Sequence, residues 1–88
     1  MHCTTMPRFY FDHRDGDTFF EDDEGMEFAT LEQAREEAAA TLGGIASDAL
    51  PGTESRQLAI EVSDENRTPL FRAVLWFEVQ AFAASQSA

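Results

Sequence analysis

The chain has 88 residues, which suits one domain with a single core, and 43% of them are hydrophobic, including eight Phe. Its formal net charge at pH 7 is −11, and all six basic residues are Arg, scattered along the sequence. Direct binding to nucleic acid or to anionic membranes is therefore not expected, because both need a concentrated basic surface. The single cysteine, Cys3, excludes an intrachain disulfide.

The ends of the sequence carry no periodic pattern. We expect residues 1–5 and 83–88 to be disordered tails and residues 6–82 to form a single α+β domain. No apolar run is as long as a membrane span, and the first residues lack the apolar segment of a signal peptide. A cytoplasmic protein is the expectation.

The first predicted elements are two short strands and two turns. Residues 8–13 alternate, with Phe9 and Phe11 on one side and Tyr10 on the other. Asp15-Gly16 supplies the positive φ angle of a tight hairpin turn, and residues 18–21 form the second strand. A second turn at residues 22–25 follows, and residues 26–28 lead into a helix.

The helix begins with a capping-box pattern at Thr30 and Gln33. The apolar residues that follow recur at steps of three and four: Leu31, Ala34, Ala38, Leu42, Ile45 and Ala49. This spacing predicts one amphipathic helix, softened by Gly43-Gly44 and ending before Pro51.

Two more alternating segments follow, at residues 57–63 and 70–80. The second places five apolar residues on one face: Phe71, Ala73, Leu75, Phe77 and Val79. The order strand, strand, helix, strand, strand (ββαββ) predicts an α+β two-layer sandwich, a four-stranded antiparallel sheet with one helix on one face. A right-handed crossover between the halves is satisfied by the spatial strand order 2-1-3-4.

Residues 12–27 hold eight carboxylates, a density that raises the question of a cation site. Calcium-loop spacing fails, because the fifth position counted from Asp15 is Phe19. The second strand also separates the two acidic turns by roughly 13 Å, too far for one cation cage. We interpret these acids as turn residues and predict no metal site and no cofactor.

No arrangement of nucleophile, base and orienting group is recognisable. Cys3 has no activating framework, the serines have no histidine placed by sequence, and the glycines form no phosphate-binding loop. His13 is expected to end the first strand in solvent. We predict that the protein is not an enzyme and has no catalytic residues.

The sheet face opposite the helix carries the candidate partner-binding residues, which are Tyr10, Arg72, Val74 and Trp76. One helix layer leaves this face open, and Trp and Tyr next to charge are typical interface anchors. Scattered exposed apolar residues are also common on surfaces without a partner. We hypothesise a small non-enzymatic binding module that self-associates as a homodimer through this face or an edge strand.

Several segments together resemble a family of short bacterial proteins classed as a domain of unknown function, over about residues 6–80. They are Met6-Pro7-Arg8-Phe9-Tyr10-Phe11, Asp15-Gly16, Leu31-Glu32-Gln33-Ala34 and Glu61-Val62-Ser63-Asp64-Glu65. That resemblance implies no assigned activity. The acidic hairpin before Leu31-Glu32-Gln33-Ala34 is also similar to the HicB-type antitoxin domain, which masks a small basic ribonuclease toxin. This second resemblance implies an alternative function, an antitoxin-like or nucleic-acid-mimicking acidic protein that masks a basic partner.

Overall fold

The structure, a computed structural model, describes residues 6–82 and consists of an antiparallel sheet with one helix against it. The elements in chain order are β1 (Arg8–Asp15), β2 (Thr18–Phe20), β3 (Met26–Glu27), α1 (Leu31–Ala49), β4 (Ser55–Ser63) and β5 (Pro69–Glu78). The α+β class and the two-layer arrangement are confirmed. The tails predicted at residues 1–5 and 83–88 lie outside the described residues.

The sheet has the strand order β2-β1-β4-β5, and β3 pairs with β1 beside β2. The order predicted for the four longer strands is therefore correct. The strand count was wrong by one, because Met26 and Glu27 pair with Phe9 and Arg8 and so form β3. A strand of two residues is too short to show alternation, so residues 26–28 were predicted only as a lead into the helix.

The β1–β2 hairpin closes through a two-residue loop, with Asp15 opposite Thr18. Gly16 has a φ angle of +62°, as the first loop position of a type II′ turn requires. β1 extends two residues beyond the predicted boundary, because Arg14 and Asp15 continue the pairing with β4.

Helix α1 begins at the predicted cap. The hydroxyl of Thr30 accepts a hydrogen bond from the Gln33 N–H at 3.1 Å, while the Gln33 side chain accepts from the Ala29 N–H at 2.9 Å, one residue earlier than the capping-box pattern. The helix then continues through Gly43-Gly44 as a single element.

The core lies between α1 and one face of the sheet. Its buried members are Phe9, Phe11, Ala34, Ala38, Leu42, Ala46, Leu58, Ile60 and Val62. The helix contributes mainly alanines, so it lies close to the strands, and the sheet contributes the bulk. Phe28 completes this layer from the loop before α1, with its ring 6.4 Å from that of Phe9 and 6.1 Å from that of Phe11.

His13 does not end its strand in solvent, and that expectation was wrong. Its ring stacks on Phe20 at a centroid distance of 5.0 Å, and its Nε2 atom is buried without a hydrogen-bond partner in the described structure. Because side chains alternate, His13 shares the face of Phe9 and Phe11 and packs at the margin of the core.

Candidate functional site

The candidate site lies on the outer face of the sheet, defined here as the face opposite α1. The strand register arranges its side chains in cross-strand rows, which are Asp12–Glu61–Arg72, then Arg14–Ala59–Val74, then Gln57–Trp76. Arg72, Val74 and Trp76 therefore follow one another along the outer face of β5, as the sequence predicted.

Tyr10 is not part of this group. It pairs with Ser63, whereas Trp76 pairs with Gln57, so the two aromatic residues are about 20 Å apart along the strands. The Arg67 guanidinium also covers the Tyr10 ring at 4.3 Å. The structure thus separates Tyr10 from the other three candidates, and its ring packs against Arg67 within the fold.

Arg67 is an organising residue that the sequence reasoning missed. Its φ angle is +64°, an uncommon backbone conformation for a residue other than glycine. Its guanidinium donates to Glu21 at 3.0 Å, to Asp12 at 3.5 Å and to the Asp22 carbonyl at 3.3 Å. These bonds attach the β4–β5 loop to the segment after β2.

Arg72 belongs to an ion-pair network on the same face. Glu61 accepts a hydrogen bond from Arg14 and forms an ion pair with Arg72, each at 2.9 Å. Arg14 also lies 4.6 Å from the centre of the Phe19 ring. Arg72 remains 59% exposed in its side chain, so its other donors are accessible to a partner.

Val74 and Trp76 form the exposed apolar part of the site. Val74 is 48% exposed and Trp76 73%, on the strand that ends the sheet within the described residues. No side chain on a neighbouring strand covers them from outside, because β5 has β4 on one side only in this part of the chain.

Most of the eight carboxylates of residues 12–27 form hydrogen bonds within the fold. Five of the eight accept hydrogen bonds from described residues, namely Asp12, Asp15, Glu21, Asp22 and Glu27. The interpretation of these acids as turn residues is therefore too narrow, because several of them join separate elements.

Asp22 replaces a missing strand partner. One of its oxygens accepts from the Phe11 N–H at 3.0 Å, and the other accepts from the Glu24 and Gly25 N–H groups at 3.1 Å. Burial raises the pKa of the Asp22 carboxyl, but these three backbone donors and the charge of Arg67 outweigh it and hold the pKa below its ordinary value.

Asp15 forms a second internal anchor, with Arg56. Arg56 donates to both carboxylate oxygens, at 2.8 and 2.7 Å, and to the Ala49 carbonyl at the end of α1, at 3.3 Å. The hydrogen bond from Arg56 holds the pKa of Asp15 below its ordinary value despite some desolvation. The hairpin turn, β4 and the helix terminus are thereby fixed to one another.

No three His, Cys, Asp or Glu side chains of residues 6–82 are grouped so that they could hold a metal ion. His2 and Cys3 lie outside that range. In the same part of the chain, no helix is both long and apolar enough to cross a membrane.

Comparisons with known proteins give one match. No curated protein and no solved structure matches the chain. The HicB resemblance receives no support from them. A family model described as a domain of unknown function (DUF6894) matches residues 8–76, a range that includes Tyr10, Arg72, Val74 and Trp76. The chain therefore belongs to the DUF6894 family, as its sequence resemblance predicted.

Proposed function

We propose that the protein is a small non-enzymatic interaction module that forms a homodimer in the bacterial cytoplasm. The observation that carries this proposal is the exposure of Trp76 and Val74 beside Arg72 on the last strand of the described sheet. Trp and Arg are enriched among residues that dominate binding energy, particularly where they are close together. Water contact over this apolar surface is unfavourable, and a partner removes it.

The ion pairs near this surface favour a binding function over acid–base catalysis. Glu61 is held between Arg14 and Arg72, and Asp15 is held by Arg56. The hydrogen bond from Arg56 holds the pKa of Asp15 below its ordinary value, so this carboxylate is a weak base and lacks the properties of a general acid–base catalyst at neutral pH.

Sedimentation velocity over a range of protein concentrations tests the proposal. We expect the wild type to be a dimer and Trp76→Glu to be a monomer with an unchanged circular dichroism spectrum. Met26→Glu is the matched control, because Met26 is an exposed apolar residue in β3, at the opposite edge of the sheet from β5. A wild type that stays monomeric at its highest soluble concentration contradicts the proposal.

A second candidate function is the masking of a basic partner. Its supporting observation is the net charge of −11, together with the side chains of Asp17, Asp23 and Glu24, which make no hydrogen bond or ion pair with other residues of the described range. Such a partner is attracted over long distances at low salt, and the attraction weakens as salt screens it.

A pull-down from a bacterial lysate, in low and then moderate salt, tests this second candidate. We expect an identified basic protein to bind at low salt and to dissociate at moderate salt. The triple variant Asp17→Asn/Asp23→Asn/Glu24→Gln lacks three negative charges and is expected to retain less of it. Equal retention by the wild type and the variant contradicts a role for these acids.

A further inference from the structure

The backbone of β5 presents unpaired hydrogen-bonding groups along its outer edge. The Val79 N–H donates to the Glu54 carbonyl at 2.8 Å, and in an antiparallel pair successive residues direct their amides to opposite sides. The odd-numbered residues of β5 therefore bond to β4. The even-numbered residues from 72 to 78 direct their N–H and C=O groups to the open edge, where no strand of residues 6–82 pairs with them.

This edge strand exposes apolar side chains on both faces. Val74 and Trp76 are exposed on the outer face, and Phe71, Ala73, Leu75 and Phe77 are only half-buried on the helix side. A groove lined in part by Leu31 and Phe71 separates the start of α1 from β5, so the helix leaves this strand incompletely covered. Long apolar edges are rare on proteins that stay monomeric, because they pair readily with other strands.

The sequence of β5 is complementary to itself. Arg72 and Glu78 lie three residues on either side of Leu75, and Val74 and Trp76 lie one residue on either side. An antiparallel pair centred on Leu75 places Arg72 opposite Glu78 of the second copy and Val74 opposite Trp76, each contact occurring twice. Opposite charges and aromatic–β-branched pairs are favourable cross-strand neighbours.

Adjacent registers lack this match. A shift of the centre to Val74 places Glu78 opposite Leu70, and a shift to Trp76 places it opposite Val74, so both leave the charges without opposite partners. The Leu75 register also places the outward amides of Arg72, Val74, Trp76 and Glu78 in hydrogen-bonded pairs.

We infer that two copies of this chain join β5 to β5, antiparallel about a two-fold axis at Leu75, and so form one continuous sheet with both helices on the same side. This inference rests on the proposed homodimer and names the edge and the register of its interface. The partner surface is the same strand of a second copy, as a closed two-fold interface requires.

Val74→Pro tests the use of the edge. The Val74 N–H is directed away from β4, so proline removes a donor at the open edge and keeps the β4–β5 hydrogen bonds. We expect Val74→Pro to be a folded monomer by sedimentation and circular dichroism. Val74→Ala keeps the N–H and loses only side-chain contact with Trp76 of the second copy, so we expect it to dimerise more weakly than the wild type but more tightly than Val74→Pro. A folded Val74→Pro dimer overturns the inference. If Trp76→Glu is nevertheless monomeric, the homodimer itself stands and uses the outer face.

A charge exchange tests the register. Arg72→Glu or Glu78→Arg alone creates two like-charged pairs across the axis, and we expect each to raise the dimer dissociation constant about tenfold. The double variant restores opposite charges and is expected to return within about threefold of the wild type. Arg72→Glu also removes the ion pair with Glu61 in both backgrounds, so recovery on adding Glu78→Arg reports only the contact between copies. No recovery in the double variant overturns the Leu75 register.

Discussion

Some side chains in this protein accept backbone hydrogen bonds that no neighbouring strand accepts, and Asp22 is the main example. β2 covers the end of β1 from His13 to Asp15, and β3 covers Arg8 and Phe9. The N–H of Phe11 falls between them, and the Asp22 carboxylate accepts its hydrogen bond. A buried N–H without an acceptor costs about 1–3 kcal/mol, so this carboxylate stabilises the sheet where strand pairing is interrupted.

We predict that Asp22→Asn lowers the free energy of unfolding by about 1–3 kcal/mol at pH 7, because an amide offers one acceptor oxygen in place of two. The pKa of Asp22 is lower in the folded than in the unfolded protein, where it is about 3.9. Its stabilisation is therefore complete above that value and is lost as pH falls through the folded-state pKa.

Urea unfolding from pH 7 to pH 3 measures this difference. The gap between wild type and Asp22→Asn is expected to narrow below about pH 4. Asp23→Asn is the control, because the neighbouring Asp23 carboxylate makes no hydrogen bond with the described residues, and its unfolding curve is expected to follow that of the wild type. A gap that stays constant down to pH 3 contradicts the role of the ionised carboxylate.

Gly25 is required by both its backbone and its surroundings. Its φ angle is +72°, and a Cβ atom there lies 2.9 Å from the Phe9 carbonyl oxygen and 2.9 Å from the Arg8 Cγ. We predict that Gly25→Ala costs more than Gly16→Ala, because Gly16 has a similar φ of +62° in open space. The strained φ alone costs roughly 1–3 kcal/mol. Chemical denaturation of both variants measures the difference, and equal losses contradict the close contact.

Among the elements, helix α1 contains two glycines whose replacement is expected to stabilise it. Gly43 and Gly44 are exposed in the helix, and an added Cβ meets nothing within 4 Å at either position. We predict that Gly43→Ala and Gly44→Ala each raise the free energy of unfolding by up to about 1 kcal/mol, because alanine loses less backbone entropy in a helix. Thermal unfolding checks this. An unchanged or lower midpoint in both variants contradicts this prediction.

Local patterns predicted the elements, while contacts distant in sequence escaped prediction. Alternation and helical spacing depend on neighbouring residues, so they located α1 and the four longer strands. The Arg56–Asp15 bonds join residues 41 positions apart, and the Arg67–Glu21 bond spans 46. Nothing local signals such pairs, since their formation depends on the strand register.

The candidate site shows the same division. Alternation correctly placed Arg72, Val74 and Trp76 on one face, since a period of two fixes the face of each residue. It also placed Tyr10 on that face, yet gave no information on its position along the strands. Only the register, which pairs Tyr10 with Ser63 and Trp76 with Gln57, separates them by about 20 Å.

At the scale of the whole molecule, the two edges of the sheet differ. One edge consists of β2 and β3, which have three and two residues and are separated by the acidic turn that contains Asp22. The other is β5, with ten residues. Short interrupted strands and charge discourage pairing with another strand, so the edge formed by β2 and β3 is protected from strand pairing. Pairing through β5 alone closes after two copies, as the proposed dimer requires, and does not continue into a fibre.

The pairing of β1 with β4 has a consequence for the order of folding. Arg14 and Glu61, which are bonded across these strands, are 47 positions apart, so the centre of the sheet forms only after a long loop has closed. Ribosomes synthesise the N-terminal part first, so the β1–β2 hairpin and α1 are complete before β4 has been made. Phe9 and Phe11 therefore become buried only after β4 has been synthesised. Folding is expected to be slower than for a helical protein of similar size, with these apolar side chains accessible to chaperones during synthesis.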